Sequence, residues 1–110
     1  MRILLDECVH SGVRAAFRGH AVSTVSEAGG AAVKAAPSLD LAERGFDIFL
    51  TIDRKLEHLI DLSKSALGFV MVRVASNTLE AYRPNFDRLL QAVETVRKRE
   101  VIHLDTRLGR

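Results

Sequence analysis

The chain has 110 residues, 47% hydrophobic and 27% charged, with a formal net charge of +2 and a pI near 9.0. These values exclude a disordered chain, and the length suits one domain that folds without disulfides or structural metal. The slight positive balance tolerates a nucleic-acid partner without demanding one, and no stretch approaches the roughly 18 unbroken apolar residues of a membrane span. The opening Met1-Arg2-Ile3-Leu4-Leu5-Asp6 shows no signal-peptide pattern, and the single cysteine, Cys8, has no intrachain partner. A cytoplasmic protein without membrane contact is therefore expected.

In chain order, Ile3-Leu4-Leu5 is a short apolar run closed by Asp6-Glu7, the pattern of a strand buried on both faces. From Val9 to Phe17, apolar residues fall at Val9, Val13, Ala16 and Phe17, with Gly19 just beyond as a stop signal, which predicts a helix. Ala21-Val22-Ser23-Thr24-Val25 predicts a second strand. Ser26 to Ala36 is Gly- and Ala-rich and predicts a loop. Pro37 suits the first turn of a helix whose buried side carries Leu39, Leu41 and Ala42, ending at Gly45. Asp47-Ile48-Phe49-Leu50-Thr51 predicts a third strand running out to Asp53, and Leu56, Leu59, Ile60 and Leu62 a further helix before Gly68.

Phe69 to Val74 predicts the fourth strand, and Ala75-Ser76-Asn77 a polar turn or cap. Pro84 is expected to open the longest helix, with Phe86, Leu89, Leu90, Val93 and Val96 as its apolar stripe, Leu89 and Val93 in the core, Arg88 and Glu94 exposed, and Arg97, Lys98 and Arg99 at its C-terminal end. Residues 100–104 predict a short last strand and 105–110 a loose basic tail. The alternation implies right-handed crossovers and an α/β domain with a mainly parallel sheet of four or five strands, covered by helices on both faces.

In such sheets, ligands bind outside the carboxyl ends of the strands. Asp6 and Glu7 end the first strand and Asp53 follows the third, so these acids should share one edge. Converging carboxylates repel one another unless a cation intervenes, and an all-oxygen set selects Mg²⁺ or Mn²⁺, ions suited to hydrolysis of a phosphodiester. Against this, an Asp at a strand end often serves only as a helix cap. Arg54 and Lys55 are candidates to bind substrate phosphates, or else form a solvated first helical turn, and Asn77 is a candidate for a neutral ligand, an RNA contact or a cap. Cys8 with His10 offers a nucleophile and base; the simpler reading is a small, half-buried side chain. His20, His58 and His103 lack metal-ligand spacing and are expected to be structural.

Four segments together resemble the small prokaryotic PIN-like domains often assigned the toxin's place in toxin–antitoxin pairs. They are Met1-Arg2-Ile3-Leu4-Leu5-Asp6-Glu7, Gly19-His20-Ala21-Val22 with Thr24-Val25, Phe46 to Leu56 with its Thr51-Ile52-Asp53-Arg54-Lys55-Leu56 motif, and Ala75-Ser76-Asn77. The resemblance spans nearly the whole chain in the same order. It implies a three-layer α/β/α PIN-like sandwich, Mg²⁺ or Mn²⁺ held by Asp6 and Asp53, cleavage of single-stranded RNA, and a cognate antitoxin protein as partner, with a homodimer allowed.

Two departures stand out. Relatives usually carry Asn where this chain has Cys8, a poor ligand for a hard cation. Their presumed third acid falls on Pro37, and Asp40, about one turn on, is the candidate to replace it as a catalytic acid. The residues thus leave open a ribonuclease with a degenerate site and a catalytically silent module that binds protein or RNA. A receiver domain also places acids after strands one and three but needs a Lys after a fifth strand, which Val101-Ile102-His103-Leu104 does not supply.

Overall fold

The computed structural model describes residues 1–27, 45–53, 55 and 65–108. Pro37, Asp40 and Arg54 lie outside these residues, as do the helices expected from Pro37 to Gly45 and around Leu56 to Leu62 and most of the loop from Ser26 to Ala36. Among the described residues five strands form one sheet: β1 (Arg2–Leu5), β2 (Ala21–Thr24), β3 (Ile48–Thr51), β4 (Gly68–Arg73) and β5 (Val101–Asp105). Their order is β2-β1-β3-β4-β5, and every neighbouring pair is parallel. The α/β class and the parallel sheet are as the sequence predicts, at the upper strand count.

Side chains alternate across the pleat, so one apolar run supplies two cores. Ile3, Leu5, Ile48, Leu50, Val70 and Val72 face one side, where they meet Val13, Tyr82, Leu89 and Val93 from the helical segments. Leu4, Phe49, Phe69 and Met71 face the other with Val25 and Leu67, and the Phe49 and Phe69 rings meet edge to face at 6.3 Å. Both faces are buried, which is compatible with a three-layer α/β/α sandwich. Among the described residues no helix is long and apolar enough to cross a membrane.

The helical segments depart from expectation in detail. Ser11–Ala16 is a 3₁₀ helix, capped by the His10 ring, whose Nδ1 accepts from the Gly12 backbone N–H at 3.0 Å. Gly12 packs closely where this segment meets the helical turn α1 (Leu79–Tyr82): a Cβ there would stand 2.9 Å from Leu79 Cδ1, so the leucine tip would have to shift. Helical backbone thus begins before Pro84, which sits in a 3₁₀ turn (Arg83–Asn85) leading into α2 (Phe86–Thr95).

Leu89 and Val93 are fully buried and Glu94 is exposed, as predicted. Arg88 is only half-exposed: its guanidinium donates to Asn85 Oδ1 at 3.0 Å and to the Asp105 carbonyl at 3.4 Å. Arg97, Lys98 and Arg99 lie past the end of α2, in the turn to β5. The expected loose tail is instead partly ordered. Asp105 closes β5, and Thr106, buried in a 3₁₀ turn (Thr106–Leu108), donates its hydroxyl to the Arg73 carbonyl at 2.6 Å.

Leu89 joins α2 to the sheet at full burial, so Leu89→Ala is expected to cost about 2–5 kcal/mol by urea denaturation. A loss under about 0.5 kcal/mol, the range of surface substitutions, would show that α2 is not packed in this way.

Candidate functional site

The chain runs outward from Asp6 through β1 to β2 on one side and through β3, β4 and β5 on the other, so the sheet's topological switch point lies between β1 and β3. The carboxyl ends of strands flanking such a point form the crevice where α/β sheets bind ligands. Asp6 and Asp53 emerge from this pair of strands, as the sequence predicts.

The register explains their relation. Leu5 lies opposite Leu50, and the next ladder bond runs from the Asp6 N–H to the Leu50 carbonyl at 2.9 Å, which sets Asp6 beside Thr51. Thr51 is fully buried, and its hydroxyl donates to Asp6 Oδ2 at 2.8 Å while accepting the Asp53 backbone N–H at 2.9 Å. One hydroxyl therefore ties the Asp6 carboxylate to the backbone of Asp53. Asp6 Oδ1 accepts the Glu7 N–H at 2.8 Å, and Asp53 Oδ1 accepts the Lys55 N–H at 3.0 Å. Both aspartates are half-buried, whereas Glu7 is exposed and accepts from the Ser26 hydroxyl at 2.6 Å.

Cys8 Sγ lies 3.5 Å from both Asp6 Oδ2 and the Thr51 hydroxyl. The thiol donates to the Asp6 carboxylate, an acceptor-only group, and also touches the Thr51 hydroxyl. Burial, the largest effect, pushes the Cys8 thiol up; hydrogen bonds from Thr51 and the Ile52 backbone pull it down, and neighbouring Asp6 pushes it up further. A protonated thiol is a weak nucleophile, and His10 is engaged as a helix cap, so the pair does not form an activated thiol.

Asn77, exposed in the loop after β4, is held by hydrogen bonds. Its Nδ2 donates to the Cys8 carbonyl at 2.7 Å, and its Oδ1 accepts from the Tyr82 hydroxyl at 2.6 Å and the His10 N–H at 3.2 Å. This fastens the turn after β1 to the loop after β4. One amide hydrogen remains for another acceptor. Burial raises the Tyr82 phenol above its ordinary value, so it remains a donor to Asn77. Lys55 is exposed two residues from Asp53.

As a test of donor chemistry, the two carboxylates fit Mg²⁺ or Mn²⁺, which bind through one or two carboxylates and retain water, while the buried Thr51 hydroxyl is already engaged by Asp6 and the Asp53 N–H. They do not form an all-protein cage: among the described residues no group of three or more His, Cys, Asp or Glu side chains is placed to hold a metal. Nor is any buried polar side-chain atom among the described residues left without a partner. Motif spacing alone assigns Thr51 no role. Its signal was local, a buried hydroxyl at the last strand position two residues before an Asp, within the reach of a side-chain-to-backbone turn.

Comparison of the chain with family models, with curated proteins and with solved structures finds no match.

Thr51→Val keeps the shape but removes both hydrogen bonds, leaving the Asp53 N–H without its acceptor. The expected loss is about 1–3 kcal/mol in urea unfolding, most of it recovered in Thr51→Ser. Unchanged stability in Thr51→Val would show that the hydroxyl does not join the two strands.

Proposed function

We propose that this chain is a PIN-like, Mg²⁺- or Mn²⁺-dependent endoribonuclease acting on single-stranded RNA in the cytoplasm, with the role of toxin opposite a cognate antitoxin protein. The observation that carries the reading is the Asp6–Thr51–Asp53 arrangement at the switch point between β1 and β3. Hydrogen-bonded carboxylates at a strand edge favour a phosphodiester-cleaving metal site over a thiol or histidine chemistry, given a protonated Cys8 and a capping His10.

In this reading Asp6 and Asp53 hold the divalent ion, which when bound supplies charge neutralisation at the phosphate and a water of lowered pKa. Thr51 fixes the Asp6 carboxylate from the buried side, so the acid meets substrate already oriented. Asn77 and Tyr82 hold the neighbouring turns in place, and Lys55 stands on the exposed side as a candidate phosphate contact. Arg54 and Asp40 are proposed, from the sequence alone, as a further phosphate contact and a further acid. A homodimer is compatible with this role.

Pro37 favours a second reading, a PIN-like module that binds RNA or protein without cleaving, because a carboxylate is missing where the resemblance expects one. Fewer anionic ligands weaken metal affinity, so the nuclease reading predicts cleavage only at high metal concentration. In an RNA cleavage assay across Mn²⁺ concentration, Asp6→Asn and Asp53→Asn are expected to abolish activity and Pro37→Glu to raise it at limiting metal. Thr51→Val is expected to lower it by about 10–100-fold. If the wild type and Pro37→Glu both bind Mn²⁺ and neither cleaves, the silent module is the correct reading.

A further inference from the structure

The carboxyl edge also carries a cavity of about 150 Å³ lined by Ile52, Val72, Arg73, Val74 and Arg107. Ile52 stands between Thr51 and Asp53 in the chain, so one wall of the cavity is the immediate neighbour of Asp53 in sequence. Ile52, Val72 and Val74 belong to the core on the α2 side of the sheet and give the cavity apolar walls. Its polar groups are cationic. Arg73 is the half-buried last residue of β4, and Arg107 lies in the turn after β5.

Arg107 is held in a fixed pose. Its Nε donates to Asp105 Oδ1 at 2.9 Å, Nη2 to Oδ2 at 2.8 Å, and its backbone N–H to Oδ1 at 3.0 Å. This fork holds the Asp105 carboxyl at about 2, well below the usual carboxylate range, so it is ionised at neutral pH. The fork uses two of the five guanidinium N–H groups and leaves three for another acceptor. Two guanidiniums against one carboxylate leave the cavity with an excess positive charge.

Size narrows the ligand. A pocket for a drug-sized molecule spans roughly 300–1,000 Å³, so this cavity takes a compact anion and not a whole nucleotide. Guanidinium forks suit the tetrahedral oxygens of a phosphate.

We propose that the cavity is a phosphate subsite for single-stranded RNA, in which Arg73 and Arg107 hold a backbone phosphate beside the Asp6–Asp53 edge. The identity of the ligand rests on the ribonuclease reading; the charge and shape of the cavity do not.

The test is fluorescence anisotropy with a short labelled single-stranded RNA in EDTA, where no cleavage occurs, over a range of salt concentrations. Arg73→Gln and Arg107→Gln are each expected to weaken binding about tenfold. Each should also flatten the log–log salt dependence by about 0.7, the loss of one phosphate contact. Circular dichroism and melting curves check folding. Arg73→Gln leaves the Asp105–Arg107 fork intact and carries the test if Arg107→Gln does not fold.

Unchanged affinity and salt slope in folded Arg73→Gln would overturn the proposal, even if Asp6-dependent cleavage is found and the nuclease reading stands. Loss of RNA affinity in the variants, with no cleavage by the wild type in Mn²⁺, would uphold the subsite and remove the nuclease. A third arm separates the sources of phosphate. If inorganic phosphate shifts the Val72 and Val74 methyl resonances while RNA affinity is indifferent to both arginines, the cavity binds free phosphate and the RNA assignment is wrong.

Discussion

The Thr51 hydroxyl is the interaction on which the carboxyl edge of the sheet depends. A hydroxyl has one proton and two lone pairs, and here the proton goes to Asp6 while a lone pair accepts the Asp53 N–H. Where β1 and β3 end, the ladder ceases to satisfy backbone groups, and a buried hydroxyl takes up one of them. The same bond turns the Asp6 carboxylate to a defined position. Structure and chemistry therefore meet at one atom: without it, Asp53 and Asp6 lose their common support.

This edge is held from two further sides. Asn77 binds the Cys8 carbonyl and the His10 N–H across 69 and 67 residues of sequence, with Tyr82 fixing its amide from below. Farther along the same edge, the Thr106 hydroxyl closes on the Arg73 carbonyl, and Asp105 anchors Arg107. In each case a short polar side chain just beyond a strand satisfies a backbone group of a neighbouring segment, so the loops that carry charged residues are fastened to a rigid sheet. Such fastening holds the charged groups of this edge in place before any ligand arrives.

The buried strands were legible because a parallel sheet covered on both faces demands unbroken apolar runs, which Ile3-Leu4-Leu5, Ile48-Phe49-Leu50 and Phe69-Val70-Met71-Val72 supply. The acids were legible because chain order and strand ends alone place Asp6 and Asp53 on one edge. Long-range polar contacts were not. Nothing local to Asn77 announces its bonds to Cys8 and His10, and the flanking charges of Asp105 and Arg107 conceal a buried Thr106. Arg88 likewise reads as a solvent-facing position, yet its long side chain folds back on Asn85. Pro84 reads as a helix start by its own conformational rule, although the helical turn from Leu79 passes Arg83 in helical geometry despite the usual bias before proline.

Asp6 and Asp53, joined through Thr51, are on this account a site for a hard divalent ion, and the ribonuclease reading stands on that point. Paramagnetic broadening by Mn²⁺ in ¹⁵N-labelled protein measures it without reference to activity. The account predicts that the amides of Glu7, Ile52 and Asp53 broaden first, and that Asp6→Asn removes the effect while the fold persists. Broadening centred on other acids, or an unchanged pattern in Asp6→Asn, would contradict it.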